Sequence, residues 1–158
     1  MPYHRKGYSV LTIKDLSITR GQGEQSFTVS LPHLSLAEGE VVSLCGSSGC
    51  GKSTLLEMMG LILKPDNLSQ YELSSATLSM DLAPLILSDK QKTLAEIRSK
   101  NLGFMLQNGG LLPFLSVWQN ILLPCQTNGI LADESWLHHL CEKLNINHLM
   151  TKYPKQLS

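Results

Sequence analysis

The chain carries no excess charge of either sign: across 158 residues, thirteen Lys and Arg balance thirteen Asp and Glu. A balanced chain projects no global field toward nucleic acid or an anionic surface, which excludes partners recruited by bulk charge. It also lacks a long apolar run. The best candidate, residues 55–63, is broken by Glu57 and Gly60, far short of the roughly 20 apolar residues of a membrane span. The basic start leads into an alternating stretch and not into a signal-peptide core, so a cytoplasmic location is expected. Cys45, Cys50, Cys125 and Cys141 form no C-x-x-C pair, which argues for structural thiols over zinc ligands or disulfides. Neither N-K-x-D nor D-x-x-G occurs, so the strings by which GTPases read guanine and the γ-phosphate are missing.

What is present is Gly46-Ser47-Ser48-Gly49-Cys50-Gly51-Lys52-Ser53, a full match to G-x-x-x-x-G-K-[ST]. The flanks fit as well. Residues 40–45 read as a short buried strand, and residues 52–59 as the helix that follows. The first N–H groups of a helix have no carbonyl partner, and the helix dipole places partial positive charge at that end. Glycines at 46, 49 and 51 let successive N–H groups wrap a phosphate chain. The pattern assigns phosphate contacts to Gly46, Ser47, Gly49, Cys50, Gly51, Lys52, Ser53 and Thr54, with the Lys52 ammonium reaching the β- and γ-phosphates and the Ser53 hydroxyl ligating Mg²⁺.

A length of 158 residues and 42% hydrophobic content suit one soluble domain with a core. Residues 10–18 and 27–36 are expected as strands, the second alternating through Phe27, Val29 and Leu31 as on a half-buried antiparallel sheet. Residues 68–87 should add an irregular strand or two. Ser88-Asp89 reads as the cap of a helix running to about Lys100, with Leu94 and Ile97 inward and Lys90, Lys92, Glu96 and Arg98 outward. Residues 102–106 read as another short buried strand. Further on, Asp133 suits a helix N-cap with Glu134 in the first turn, ahead of one apolar face built from Trp136, Leu137, Leu140, Cys141 and Leu144. Strands alternating with helices around a phosphate loop imply an α/β fold with a largely parallel sheet.

The stretch Gly103-Phe104-Met105-Leu106-Gln107, followed by Leu111-Leu112-Pro113 and by Val117-Trp118-Gln119-Asn120-Ile121-Leu122-Leu123-Pro124, resembles the region around the glutamine loop of ATP-binding cassette (ABC) proteins. The closing Tyr153-Pro154-Lys155-Gln156-Leu157-Ser158 is similar to the lead-in to that family's signature motif. In style the text looks most like the ATPases of lipoprotein-release and macrolide-export transporters. The resemblance implies a P-loop NTPase fold, α/β, with a RecA-like core, an antiparallel β subdomain and the start of a helical subdomain. Residues 1–107 would supply the first two and residues 108–158 the third. It further implies an ATP-binding subunit with ATP and Mg²⁺ as cofactors, seated on the cytoplasmic face of the membrane. Its partners would be transmembrane transporter subunits and a second nucleotide-binding domain, with no nucleic acid. Gln107 resembles the family's catalytic glutamine, which touches Mg²⁺ and the attacking water, and residues 114–124 would face a membrane subunit.

Three departures qualify that expectation. Arg20 stands where the family stacks an aromatic on adenine, with Phe27 as a possible substitute. Residues 68–87 lack the family's usual strand text. The carboxylates that follow the signature are not reached, so the chain is expected to bind Mg-ATP without turning it over alone. Asp133-Glu134 imitates that acidic pair, but the apolar run before it is too short for a core strand. Two alternatives accompany the transporter reading: a non-transport cassette ATPase, and a nucleotide-binding fragment with only an interaction role.

Overall fold

Alternation along the first third of the chain is realised as a hairpin. In the computed structural model, which describes residues 9–23, 26–75, 79–106 and 109–157, strand β1 (Ser9–Arg20) pairs antiparallel with β2 (Phe27–Ala37). Opposite residues include Leu16 and Leu31, Ile18 and Val29, and Arg20 and Phe27. Two further strands, β3 (Gln70–Ser74) and β4 (Ser79–Asp81), extend the sheet in the order β2-β1-β3-β4. The chain divides into two compact units, Met1–Leu102 and Gly103–Ser158.

The first unit packs three helices with this sheet. Helix α1 (Lys52–Met59) buries Leu55 and Met58, α2 (Ala83–Leu87) buries Ala83 and Ile86, and α3 (Gln91–Asn101) buries Leu94. They meet Ile13, Leu16, Ile18, Val29, Tyr71 and Leu73 from the strands in one apolar cluster. Burial of this kind supplies about 1.5–3 kcal/mol per large side chain. Asp81 joins the layers, its Oδ1 accepting from the backbone N–H of Tyr71 at 2.9 Å and of Ala83 at 3.0 Å.

Several expectations need correction. Every ladder among the described residues is antiparallel, so the largely parallel sheet is not found there. Residues 40–45 form no strand: Val41 is 93% exposed and Val42 49%. Residues 102–106 form none either, with Met105 91% exposed. An apolar run becomes a strand only when another strand accepts and donates its backbone bonds, and in parallel sheets that strand is remote in sequence. Residues 68–87 hold β3, β4 and also α2, a helix the serine-rich text did not announce. Ser88 and Asp89 do not open α3. Ser88 closes α2 by donating its hydroxyl to Pro84 O at 2.6 Å, Asp89 sits at φ 54, and α3 begins after Lys90 without a side-chain cap.

The second unit holds α4 (Val117–Thr127) and α5 (Glu134–Lys143). Ser116 and Gln119 form a reciprocal cap at the start of α4. Asn120 fastens the preceding loop, accepting from Leu112 N–H at 2.8 Å and donating to the carbonyls of Leu112, Leu115 and Ser116. Asp133 caps α5 as expected, its Oδ1 accepting from Trp136 N–H at 2.9 Å. The apolar face expected on α5 is only partly covered: Cys141 is buried, whereas Trp136 and Leu144 are mostly exposed. His138 stacks on Trp118 with ring centroids 4.7 Å apart, and His139 on Trp136 at 5.5 Å. Among the described residues no helix is long and apolar enough to cross a membrane.

Candidate functional site

The glycine-rich turn and the start of α1 border a cleft of about 280 Å³ that is closed by Thr28, Val29 and Ser30 of β2 and by Leu44 and Cys45. Gly51 is the pivot. It lies at φ 95, in the left-handed region, and a Cβ there would sit 2.4 Å from Val29 Cγ2. Both the backbone angle and the contact with β2 therefore demand glycine at this position. Gly46 makes the turn's other close approach, since a Cβ on it would meet Cys50 Sγ at 2.7 Å. Gly49, at φ 81, faces open space.

Lys52 folds over this turn. Its ammonium donates to Gly46 O at 2.9 Å and Ser47 O at 2.7 Å, with Cys50 Sγ at 3.7 Å. No side chain caps α1, and no acidic residue lies in its first turn. The N–H of Leu55 takes up Gly51 O at 2.9 Å, so the helical ladder begins there. The amides of Lys52, Ser53 and Thr54 precede that ladder and keep their donor capacity, next to a cation and at the positive end of a helix. Ser53 is exposed and Thr54 half-buried. The donor set is that of an anion site, and the turn of left-handed glycines is a cradle that side chains would fill. A polyphosphate with its counter-cation fits the residues present. Among the described residues no carboxylate lines this cleft.

Of the motif residues, Cys50, Gly51 and Lys52 line the cleft, the Lys52 ammonium ties in Gly46 and Ser47, and Gly49, Ser53 and Thr54 complete the turn and the first helical positions. Gln107 lies outside the described residues. Arg20 and Phe27 are register partners, and opposite residues of an antiparallel pair project from one face. Phe27 is two residues from Val29, so this pair shares the face on which Gly51 rests. Asp133 is engaged as a helix cap and Glu134 is exposed in the first turn of α5, which leaves that acidic pair a structural role in the second unit.

Sequence reading missed the supports of the site. Val29 looked like one more alternating residue, yet it carries Gly51. At the far end of α1, the Tyr71 hydroxyl donates to Met59 O and the Arg98 guanidinium to Leu61 O. Arg98 was expected to face outward; instead its side chain returns to the end of α1. Nothing in the spacing of Tyr71 announces its contact, because it is set by the register of β3 on β1.

Comparison with known proteins places these features in context. The sequence profile described as ABC transporter matches residues 30–158. The lipoprotein-releasing system ATP-binding protein LolD of Leptospira interrogans is 32% identical over 151 residues, covering 95% of this chain and 59% of LolD. The ABC transporter ATP-binding protein YvrO of Bacillus subtilis is 31% identical over 153 residues, covering 94% and 62%. The bacitracin export ATP-binding protein BceA of Halalkalibacterium halodurans is 36% identical over 124 residues, covering 77% and 45%. Among solved structures, the dimeric ATP-binding cassette MJ0796 bound to ADP and Pi superposes with a TM-score of 0.70 at 27% identity, covering 94% of this chain and 63% of that one. The chain spans about half the length of the curated relatives it matches.

Proposed function

The chain belongs to the ABC transporter family, and from that premise we propose that it binds Mg-ATP through residues 46–54 as the nucleotide-binding part of an ATPase subunit that powers transport. The observation that carries this reading is the uncapped start of α1, held beside the Lys52 ammonium by a left-handed Gly51 that rests on Val29. Bound phosphates would take the place of the Gly46 and Ser47 carbonyls as partners of Lys52. The amides of residues 49–54 would wrap them. Ser53 would hold Mg²⁺, together with Gln107, and the ion would supply the positive charge that offsets the phosphate chain.

Arg20 and Phe27 are the proposed platform for the base. Arg20 and Phe27, both exposed, stand opposite each other in the β1–β2 register at the end of the face that carries the phosphate loop, and either plane can stack on adenine. The first unit would correspond to the β subdomain and phosphate-loop core, and the second to the start of a helical subdomain. Residues 114–124 would receive a membrane subunit on the cytoplasmic face of the membrane. A second nucleotide-binding domain is a further proposed partner, in line with the dimeric state of MJ0796. Nucleotide binding is what these residues are proposed to contribute.

Calorimetric titration with Mg-ATP tests the reading. Lys52→Ala removes a charge-assisted contact and should weaken binding by about 1.5–3 kcal/mol. Equal affinity for the wild-type chain and Lys52→Ala would overturn the assignment.

A further inference from the structure

Helix α1 is anchored at the end away from the phosphate loop. It has eight residues, so it is about 12 Å long. Its C-terminal carbonyls would ordinarily face solvent or the next turn of chain. Here Leu56, Glu57 and Met58 give their carbonyls to the N–H groups of the following turn, while Met59 O, the last of the helix, and Leu61 O, two residues beyond it, are taken by side chains from different elements. Tyr71, the second residue of β3, is fully buried and donates its hydroxyl to Met59 O. Arg98 comes from the last turn of α3 and donates to Leu61 O. Leu61 is itself buried and held at φ 58, a left-handed conformation unfavourable for leucine, which the surrounding contacts must enforce. The positive charge of Arg98 also complements the negative end of the helix dipole. Burial pushes the Tyr71 phenol well above its ordinary range, so it stays a protonated donor through neutral and mildly alkaline pH.

We propose that Tyr71 and Arg98 are positioning residues for the phosphate loop, clamping the Met59 and Leu61 carbonyls and so fixing the direction in which the first amides of α1 point. The reason is leverage. No side chain caps the N-terminal end of the helix, which is held there by packing, Gly51 against Val29 and Leu55 in the core, and not by side-chain hydrogen bonds. With about 12 Å of helix between clamp and loop, a tilt of about 10° at the clamp displaces the first-turn amides by about 2 Å. Hydrogen bonds to a phosphate tolerate only a few tenths of an ångström, so such a displacement would lose several donors together. The clamp also explains why β3 and α3, neither of which contributes a residue to the cleft lining, matter to it. This inference rests on the reading of residues 46–54 as a nucleotide site.

The test compares four variants of the full chain: Tyr71→Phe, Arg98→Gln, Arg98→Lys and Ile86→Ala. Two readouts are taken: hydrogen exchange at the Leu55 and Leu56 amides, and affinity for Mg-ATP and for magnesium tripolyphosphate. Tyr71→Phe and Arg98→Gln should each weaken both ligands about fivefold, the loss expected for one hydrogen bond, and should speed exchange at Leu55 and Leu56. The two ligands should suffer alike, because the defect lies in the phosphate donors and not in the base contact. Arg98→Lys keeps a cationic donor and should restore most of the affinity. Ile86→Ala empties a buried position in α2 and should lower the melting temperature while leaving the affinities of the folded protein unchanged. Wild-type affinities and wild-type exchange in folded Tyr71→Phe and Arg98→Gln would overturn the clamp. If the wild-type chain binds neither ligand, the nucleotide reading falls, and the exchange pattern alone decides whether the clamp orders the helix start.

Discussion

Residues 10–18 and residues 40–45 are both short runs rich in apolar residues, yet Ile13 and Leu16 are 0% and 1% exposed while Val41 is 93% exposed. The difference is where each finds a partner. Strand β1 meets β2 across a short turn and β3 on its other edge, so both rows of its backbone groups enter ladders. Residues 40–45 enter no ladder among the described residues. Hydrophobicity alone does not bury a chain whose backbone groups still need partners. The phosphate loop begins directly after this unpaired run, and its geometry is nonetheless closed. Its support comes from the other side: Val29 beneath Gly51, and Tyr71 and Arg98 at the far end of α1. The loop's shape is thus carried by the antiparallel sheet and α3.

If that division holds, substitutions in the two regions will differ sharply in cost. The largest loss is expected for Leu16→Ala, about 2–5 kcal/mol of unfolding free energy for a core truncation in denaturant titration. The matched change Val41→Ala should cost less than about 0.5 kcal/mol, as for exposed positions generally. Similar costs for the two would erase the comparison.

Gly51→Ala comes next. Adopting φ 95 with a side chain costs about 1–2 kcal/mol, and pushing a methyl into Val29 adds about 1–3 kcal/mol. Adding Val29→Ala in that background should recover the packing share and leave the backbone share. A double variant no better than the single would show that β2 does not brace the loop.

The sequence made the loop legible because every residue it needs is local: glycines at fixed offsets, then Lys52 and Ser53 opening a helix. The hairpin was legible for the same reason, as alternation through Phe27, Val29 and Leu31 survives without knowledge of partners. Asp133 was readable as a cap because a cap serves amides only a few residues away. What could not be read was contact across the fold. Residues 40–45 carry the local marks of a strand, and only the pairing pattern withholds one. Arg98 sits at an outward helical position, but a side chain of its length reaches Leu61. Ser88-Asp89 had the composition of an N-cap and serves the end of α2 instead, since α2 itself left no periodic trace in five residues.

Asp133→Ala is the smallest effect expected to be measurable above the exposed-site baseline. Losing the bond to Trp136 N–H should cost about 0.5–2 kcal/mol, confined to the second unit. Nucleotide affinity should not change, because the carboxylate serves a helix cap. A loss of Mg-ATP binding in this variant would reinstate the acidic pair as part of the nucleotide site.

The central claim is that residues 46–54 recognise the phosphate chain. Its most direct test is an NMR titration of the labelled chain with Mg-ATP, magnesium tripolyphosphate and adenosine, following the backbone amides of Gly49, Gly51, Lys52, Ser53 and Thr54. Mg-ATP and tripolyphosphate should shift these amides in common, and adenosine should leave them in place. Shifts confined to residues outside the loop, or the same loop shifts with adenosine as with Mg-ATP, would contradict it.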